Sequence, residues 1–124
     1  MPASLAPYAL ALLRVVTSLL FLEHGTQKLL GFPAAARLPA MFSMPWFAAI
    51  IEIVGSLMVL AGVGTRYAAF IMSGEMAVAY WMSHAPRGFF PVLNSGDAAI
   101  LFCFVFLYIA AAGPGPFSWD GRKR

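Results

Sequence analysis

Four apolar stretches, separated by glycine, proline and charged residues, constrain this chain most strongly. They cover residues 5–22, 46–62, 67–82 and 98–112, each about 15 to 18 residues long, which is near the lower limit for crossing a hydrocarbon core of about 30 Å. Hydrophobic residues make up 61% of the 124 residues and charged residues 10%. A soluble domain of this length needs far more charge on its surface. The sequence therefore predicts an all-α integral membrane four-helix bundle with short connections.

The first stretch has the position of a secretory signal peptide but not its pattern. No basic segment precedes it, Arg14 interrupts it, and Glu23 follows where small residues are required for cleavage. We therefore expect the first helix to remain in the mature chain. No repeat or composition change divides the sequence, so a single domain over residues 1–124 is expected.

Glycine and proline mark the connections between the helices. Residues 31–33, 62–66 and 84–96 carry these helix-breaking signals. Residues 34–47 are mixed apolar with one arginine, Arg37, which favours a re-entrant or interfacial segment between helices 1 and 2.

Three ionisable residues lie inside the predicted spans: Arg14, Glu52 and Glu75. Each costs roughly 2.5–3.5 kcal/mol at the centre of a membrane helix, so each needs a partner or a wet cavity. Arg14 and Glu75 have similar depths measured from the same side of the membrane, which predicts a pair near the midplane. Glu52 enters from the opposite side and is expected closer to the outer rim.

A second polar cluster is predicted at the outer rim, where the ends of the helices meet. With Arg14 and Glu75 as its floor, this cluster predicts a polar pocket that opens outward. The candidate residues at the rim are Glu23, His24, Lys28, Glu52, His84, Asn94 and Asp97.

Simpler interpretations of these residues stay open. The Arg14–Glu75 pair could serve only to fix helix register, and the rim charges could lie among lipid headgroups. His24 could cap its helix, and Asp97 could satisfy free N–H groups at a helix start. The two histidines have neither the companions expected of a haem site nor a diagnostic metal spacing, so no metal is expected.

Several motifs identify the chain as a member of the DoxX family of small four-helix bacterial membrane proteins. The sequence HGTQKLLGF at residues 24–32 matches the family signature HGxxKLxGF. The resemblance continues with Arg14 and Glu52 and runs to the end of the chain. It differs at Ser56, where a second glycine is usual, at Asp97, where Glu is usual, and at Trp119, where an aliphatic residue is usual. The further matching segments are residues 62, 65–66, 75–79, 88–94, 113–115 and 118–120.

This resemblance implies a redox-linked role in the bacterial inner membrane without defining a reaction. The family takes its name from a subunit of a thiosulfate:quinone oxidoreductase. The chain has no haem histidine pair, no paired cysteines and no nucleotide motif. Any electron transfer would therefore need a bound quinone or another ligand, or a membrane redox partner. A homo-oligomer is also expected, whereas nucleic acid is not.

Three functions remain open. The first is a redox-associated subunit that binds a quinone-like ligand or a sulfur compound. In it, Arg14 and Lys28 would attract an oxygen, and Glu52, Glu75 or His24 would move protons. Aromatic residues Trp46, Phe47 and Trp81 would line the pocket. The second is a small carrier, and the third is an assembly subunit without chemistry of its own.

Four spans place both termini and the second turn on one side of the bilayer. That side holds one more basic residue than the other, so the positive-inside rule favours cytoplasmic termini. A basic end next to a bilayer is suited to anionic lipid headgroups. The basic residues are Arg66, Arg122, Lys123 and Arg124 on that side and Lys28, Arg37 and Arg87 on the other.

Overall fold

The computed structural model describes residues 2–33 and 38–123, which form helices and contain no strand. Four helices are substantial: α1 Ala6–Leu30, α2 Met44–Ala61, α3 Thr65–Ala79 and α5 Asp97–Ala112. A π-helical turn, Tyr80–His84, prolongs α3, and a single helical turn, α4 Pro91–Asn94, precedes α5. Short 3₁₀ turns lie at Ala3–Leu5, Ala85–Arg87 and Gly121–Lys123. The predicted all-α class with four principal helices is confirmed.

Helix α1 continues well beyond the apolar stretch that predicted it. It ends at Leu30 rather than near Leu22, because Gly31 is the first residue to adopt the left-handed conformation that terminates a helix (φ 72°). The 25 residues of α1 span about 37 Å at 1.5 Å per residue. Lys28 therefore projects from the body of a helix.

The helices pack in antiparallel neighbours, with the largest interfaces between α1 and α2 and between α3 and α5. Glycine allows the closest approaches, since a Cβ on Gly55 would lie 2.6 Å from the Met72 sulfur. Large apolar side chains, including Phe21, Phe106 and Ile109, fill the centre of the bundle.

The outer surface of the bundle is apolar along most of its length. Side chains such as Leu12, Phe70, Leu101 and Phe104 are each more than 60% exposed. Two helical segments, Ala3–Leu30 and Met44–Ala61, are long and apolar enough to cross a membrane, and Asp97–Ala112 is a shorter apolar helix. An exterior of this composition is suited to lipid rather than to water.

The predicted re-entrant segment at residues 34–47 falls partly outside the described residues, which omit 34–37. Residues 38–43 form no helix, and Trp46 and Phe47 belong to the first turns of α2. The hydroxyl of Ser43 caps this helix by accepting from the backbone N–H of Trp46 at 3.4 Å.

The C-terminal tail, residues 113–123, folds back over the end of the bundle that holds the α2–α3 turn. Backbone N–H groups of Trp119 and Asp120 donate to the carbonyls of Ala61 (3.0 Å) and Gly62 (2.8 Å). The Asp120 carboxylate accepts from the N–H groups of Gly64 (3.2 Å) and Thr65 (3.0 Å) at the start of α3. The tail thus joins this turn to the end of the bundle where α1 begins.

Candidate functional site

The best candidate site is a cavity of about 380 Å³ at the end of the bundle opposite the tail. We call it the rim cavity. It lies where the C-terminal part of α1, the middle of α2, the end of α3 with its π-helical turn and the start of α5 meet. Its lining residues are Phe21, His24, Lys28, Glu52, Met76, Ala79, Ser83, His84, Ser95, Ala98, Ala99 and Phe102.

An ion pair between α1 and α2 forms the charged wall of the rim cavity. Lys28 Nζ lies 2.7 Å from Glu52 Oε2, and the Glu52 side chain is fully buried whereas that of Lys28 is 40% exposed. Gly25 lets the two helices approach, because a Cβ there would lie 3.0 Å from the Cβ of Glu52. The glycine of the HGTQKLLGF motif therefore places the lysine of the same motif against Glu52.

Glu75 does not pair with Arg14, and that prediction is wrong. Glu75 is half-buried, and the charged groups that act on it are Glu52 and Lys28. Oε1 of Glu52 and Oε1 of Glu75 are buried and have no donor among the described residues. Depth along a helix does not give the direction in which a side chain points.

Arg14 is instead held by the tail. Its guanidinium is buried and donates to the backbone carbonyls of Pro114 (2.5 Å), Pro116 (3.2 Å) and Phe117 (2.8 Å). Helical side chains lean toward the N-terminus of their helix, which turns Arg14 away from the rim cavity and toward the tail. Arg14 is therefore not the floor of the pocket.

The sequence reasoning missed these acceptors because they are backbone groups. A proline-rich segment has few N–H groups but keeps every carbonyl. The available signal was the proline pair at positions 114 and 116, whose free carbonyls could have been considered as acceptors for Arg14.

The two histidines lie on opposite walls of the rim cavity. The His24 ring contacts the rings of Phe21 and Phe102, at centroid distances of 6.3 and 5.7 Å. Nδ1 of His84 lies 3.1 Å from the carbonyl oxygen of Asn94. Each histidine thus has a fixed neighbour and also faces the cavity.

Asn94 organises the connection between α3 and α5 and is not among the lining residues. Its buried amide donates to the Tyr80 hydroxyl (3.1 Å) and the Gly88 carbonyl (2.9 Å), and its oxygen accepts from the N–H of Gly96 (2.9 Å). Arg87 also donates to the Asn94 carbonyl at 2.7 Å. These bonds fix the segment that carries His84 and Ser95.

Glu23 and Asp97 are exposed and do not line the rim cavity. Asp97 occupies the first turn of α5, where its negative charge interacts favourably with the positive end of the helix dipole. The structure thus brings together His24, Lys28, Glu52 and His84 around the cavity, whereas Glu75 is not among the lining residues.

The aromatic lining differs from the one predicted. The rings of Trp46 and Phe47 contact that of Phe42 at tilted angles near the start of α2, and Trp81 is 71% exposed. The rings at the cavity belong to Phe21 and Phe102. Within the described ranges, no group of three or more His, Cys, Asp or Glu residues could hold a metal ion.

This arrangement defines a class: a helical membrane protein with a polar cavity at one end of its spans. The DoxX family profile matches residues 9–85, which include most of α1 and all of α2 and α3, and the chain belongs to the DoxX family. It is 43% identical over 122 residues to a protein of Haemophilus influenzae described as uncharacterized, covering 94% of this chain and 91% of that relative. No solved structure matches the chain.

Proposed function

We propose that the chain is a redox-associated membrane subunit that binds a small ligand in the rim cavity. The ligand is a quinone-type head group or a sulfur oxyanion, whose oxygen accepts a hydrogen bond from Lys28. The observation that carries the proposal is the Lys28–Glu52 pair in the cavity wall. It places a partly exposed hydrogen-bond donor beside a fully buried carboxylate.

The size and lining of the rim cavity support such a ligand. A volume of about 380 Å³ is within the range of about 300–1,000 Å³ typical of small-molecule sites. Phe21 and Phe102 offer ring faces, while Lys28, His24 and His84 offer polar contacts. A mostly apolar pocket with few polar groups suits a flat carbonyl-bearing ring. The sulfur oxyanion would depend more on Lys28.

We place the protein in the bacterial inner membrane with both termini in the cytoplasm. The tail, the α2–α3 turn and the start of α1 share one end of the bundle, where the rings of Tyr8 and Phe117 are 6.2 Å apart. Arg66 and Arg122 belong to that end, and the positive-inside rule assigns it to the cytoplasm. The rim cavity then opens toward the periplasm, where a redox partner or a second copy of the chain would meet it.

Ligand binding tests the proposal directly. The protein is purified in mild detergent, co-purified lipids are identified by mass spectrometry, and binding of duroquinone and of thiosulfate is measured by calorimetry. Lys28→Met removes a charged hydrogen-bond donor worth about 1.5–3 kcal/mol, so we expect binding about ten- to hundredfold weaker. Arg122→Met, a matched change at the opposite end of the bundle, should bind like the wild type.

Two results would overturn the proposal. One is equal affinity in the Lys28→Met and Arg122→Met proteins. The other is repeated failure to find either a co-purified ligand or binding of the two probes.

An assembly subunit without chemistry is the second candidate function. It is favoured by Arg14, whose guanidinium donates hydrogen bonds to backbone carbonyls of its own chain and not to a ligand site. In that case, replacing Glu52 and Glu75 together by Gln would leave the function of the whole complex unchanged.

A further inference from the structure

One oxygen in the wall of the rim cavity lacks a hydrogen-bond donor. Glu52 is fully buried and lines the cavity from the middle of α2. Its Oε2 accepts from Lys28 Nζ at 2.7 Å, whereas its Oε1 has no donor among the residues that the structure describes. A buried polar atom without a hydrogen bond costs free energy. Such an acceptor in a cavity wall therefore indicates a place for a donor that the chain itself does not supply.

The contact with Lys28 restricts what that donor can be. The lysine ammonium group only donates hydrogen bonds, and the Glu52 carboxylate that it binds only accepts them. A ligand group that meets both residues must therefore accept from the lysine and donate to the glutamate. A hydroxyl group does both.

Other small polar groups satisfy only one of the two residues. A quinone carbonyl or a sulfur oxyanion accepts from Lys28, but it has no hydrogen to give to Oε1 of Glu52. An alkylammonium group donates, but it cannot accept, and its charge would repel that of Lys28. The pair of residues therefore selects a neutral hydroxyl group.

The remaining lining residues favour an aromatic ring as the carrier of this hydroxyl group. The rings of Phe21 and Phe102 have centroids 5.0 Å apart, and His24 packs edge-on against Phe102 at 5.7 Å. A flat ring can pack against faces and edges of this kind. Ser83 and His84 also line the cavity and offer polar groups to a second substituent of the ring.

We propose that the rim cavity recognises the reduced, hydroxyl-bearing form of its ligand, an aromatic ring whose hydroxyl group accepts from Lys28 and donates to Oε1 of Glu52. This inference rests on the proposed ligand site and specifies which form of the ligand binds there. Lys28 is the exposed member of the pair, so an entering ring meets it first. Rotation of its flexible side chain then admits the hydroxyl group to the carboxylate. Only hydrogen bonds form and break, and no electron moves.

Two probes that differ in their donors test this inference on the unmodified protein. Duroquinone and durohydroquinone share the same methylated ring, but only the reduced form carries hydroxyl groups. Binding of each is measured by calorimetry in mild detergent without oxygen. Because one more hydrogen bond is made to a charged acceptor, durohydroquinone should bind about ten- to hundredfold more tightly. Equal affinity, or tighter binding of duroquinone, would overturn the inference.

The variant Glu52→Gln tests the role of the carboxylate. Lys28 only donates, so it holds the oxygen of the new amide, and the amide NH₂ group takes the position of Oε1. The site then offers a donor where it offered an acceptor, and duroquinone should bind at least as tightly as durohydroquinone. Glu23→Gln, a matched change at an exposed position of α1 outside the cavity lining, should keep the wild-type preference.

A preference for durohydroquinone that survives in folded Glu52→Gln protein would overturn the contact with Oε1. Thermal unfolding establishes that each variant is folded. If Glu52→Gln does not fold, the comparison of the two probes on the wild type still decides.

The outcomes separate this inference from the proposed function. If both forms of the probe bind equally and Lys28→Met weakens both, the donor contact is overturned and the ligand site remains. If thiosulfate binds more tightly than durohydroquinone, the inference is overturned and the sulfur oxyanion remains as the ligand. If none of the three probes binds and no ligand co-purifies, the proposed function fails and the inference fails with it.

Discussion

The two ends of the bundle both bury charge, but they satisfy it in different ways. At the tail end, the Arg14 guanidinium donates to three backbone carbonyls of its own chain, and only its Nε is buried without a partner in the described structure. At the rim end, Glu52 has one bond to a half-exposed lysine and one oxygen without a donor in the described structure. Backbone carbonyls cannot leave, whereas a lysine beside a cavity can turn toward a ligand.

This difference separates structural charge from functional charge. A buried cation surrounded by fixed acceptors stabilises one conformation and offers nothing to a ligand. A carboxyl group with an incomplete set of partners beside a cavity can exchange one partner for another. Burial alone would have placed Arg14 and Glu52 in the same category.

The largest expected effect is the loss of the Arg14 contacts. In Arg14→Met the tail carbonyls lose three donors, and a charged hydrogen bond contributes about 1.5–3 kcal/mol. We expect the free energy of unfolding in detergent to fall by about 3 kcal/mol, while the protein that remains folded keeps its affinity for the rim-cavity probes.

Arg66→Met is the matched control for this change, since Arg66 donates to one exposed carbonyl, that of Ala111. Its stability should fall by less than about 1 kcal/mol. If Arg14→Met abolished ligand binding in protein that is still folded, the separation between the two ends would be wrong.

Much of the fold could be predicted from the sequence, because a long apolar segment indicates a membrane helix. The four apolar stretches became α1, α2, α3 and α5, and Gly31 and Gly62 ended α1 and α2 as left-handed residues. The end of α1 was placed too early, because the apolar stretch ends at the polar residues Glu23 and His24. The backbone hydrogen bonds of a helix continue past a charge until a residue breaks them.

The partners of the site residues were harder to predict. Counting residues along a helix gives the depth of a side chain in the membrane. To predict which side chains meet, the rotation of each helix about its axis must also be known. Arg14 contacts the tail carbonyls, whereas the charged groups that act on Glu75 are Glu52 and Lys28. The proximity of Glu52 and Glu75 could not be anticipated from the pairing of opposite charges, since both residues are acidic.

The next test adds one methyl group at the close contact between α1 and α2 beside the rim cavity. In Gly25→Ala the new Cβ would lie 2.8 Å from the Ile53 side chain and 3.0 Å from Glu52, so α1 and α2 must separate. Overpacking of this kind costs about 1–3 kcal/mol. We expect a lower unfolding temperature and weaker binding of the rim-cavity probes, because Lys28 moves away from Glu52.

Gly74→Ala provides the control at a helical glycine with free space, as no atom lies within 4 Å of its Cβ position. Alanine there should leave ligand binding unchanged and raise stability by about 0.5–1 kcal/mol. Equal effects of the two substitutions would show that close approach of α1 and α2 does not shape the rim cavity.

The smallest expected effect returns to the tail end, at Asp120. Its carboxylate accepts from the N–H groups of Gly64 and Thr65, where α3 starts without a cap from its own preceding residue. Loss of a helix cap costs about 1 kcal/mol, so Asp120→Ala should lower stability by about that amount in thermal unfolding. Asp97→Ala at the start of α5, where only the helix dipole is affected, should cost about 0.3–1 kcal/mol at most. Neither change reaches Lys28 or Glu52, so the affinity for the rim-cavity probes should stay at the wild-type value. Weaker binding in Asp120→Ala would mean that the tail and the rim cavity are coupled through α3.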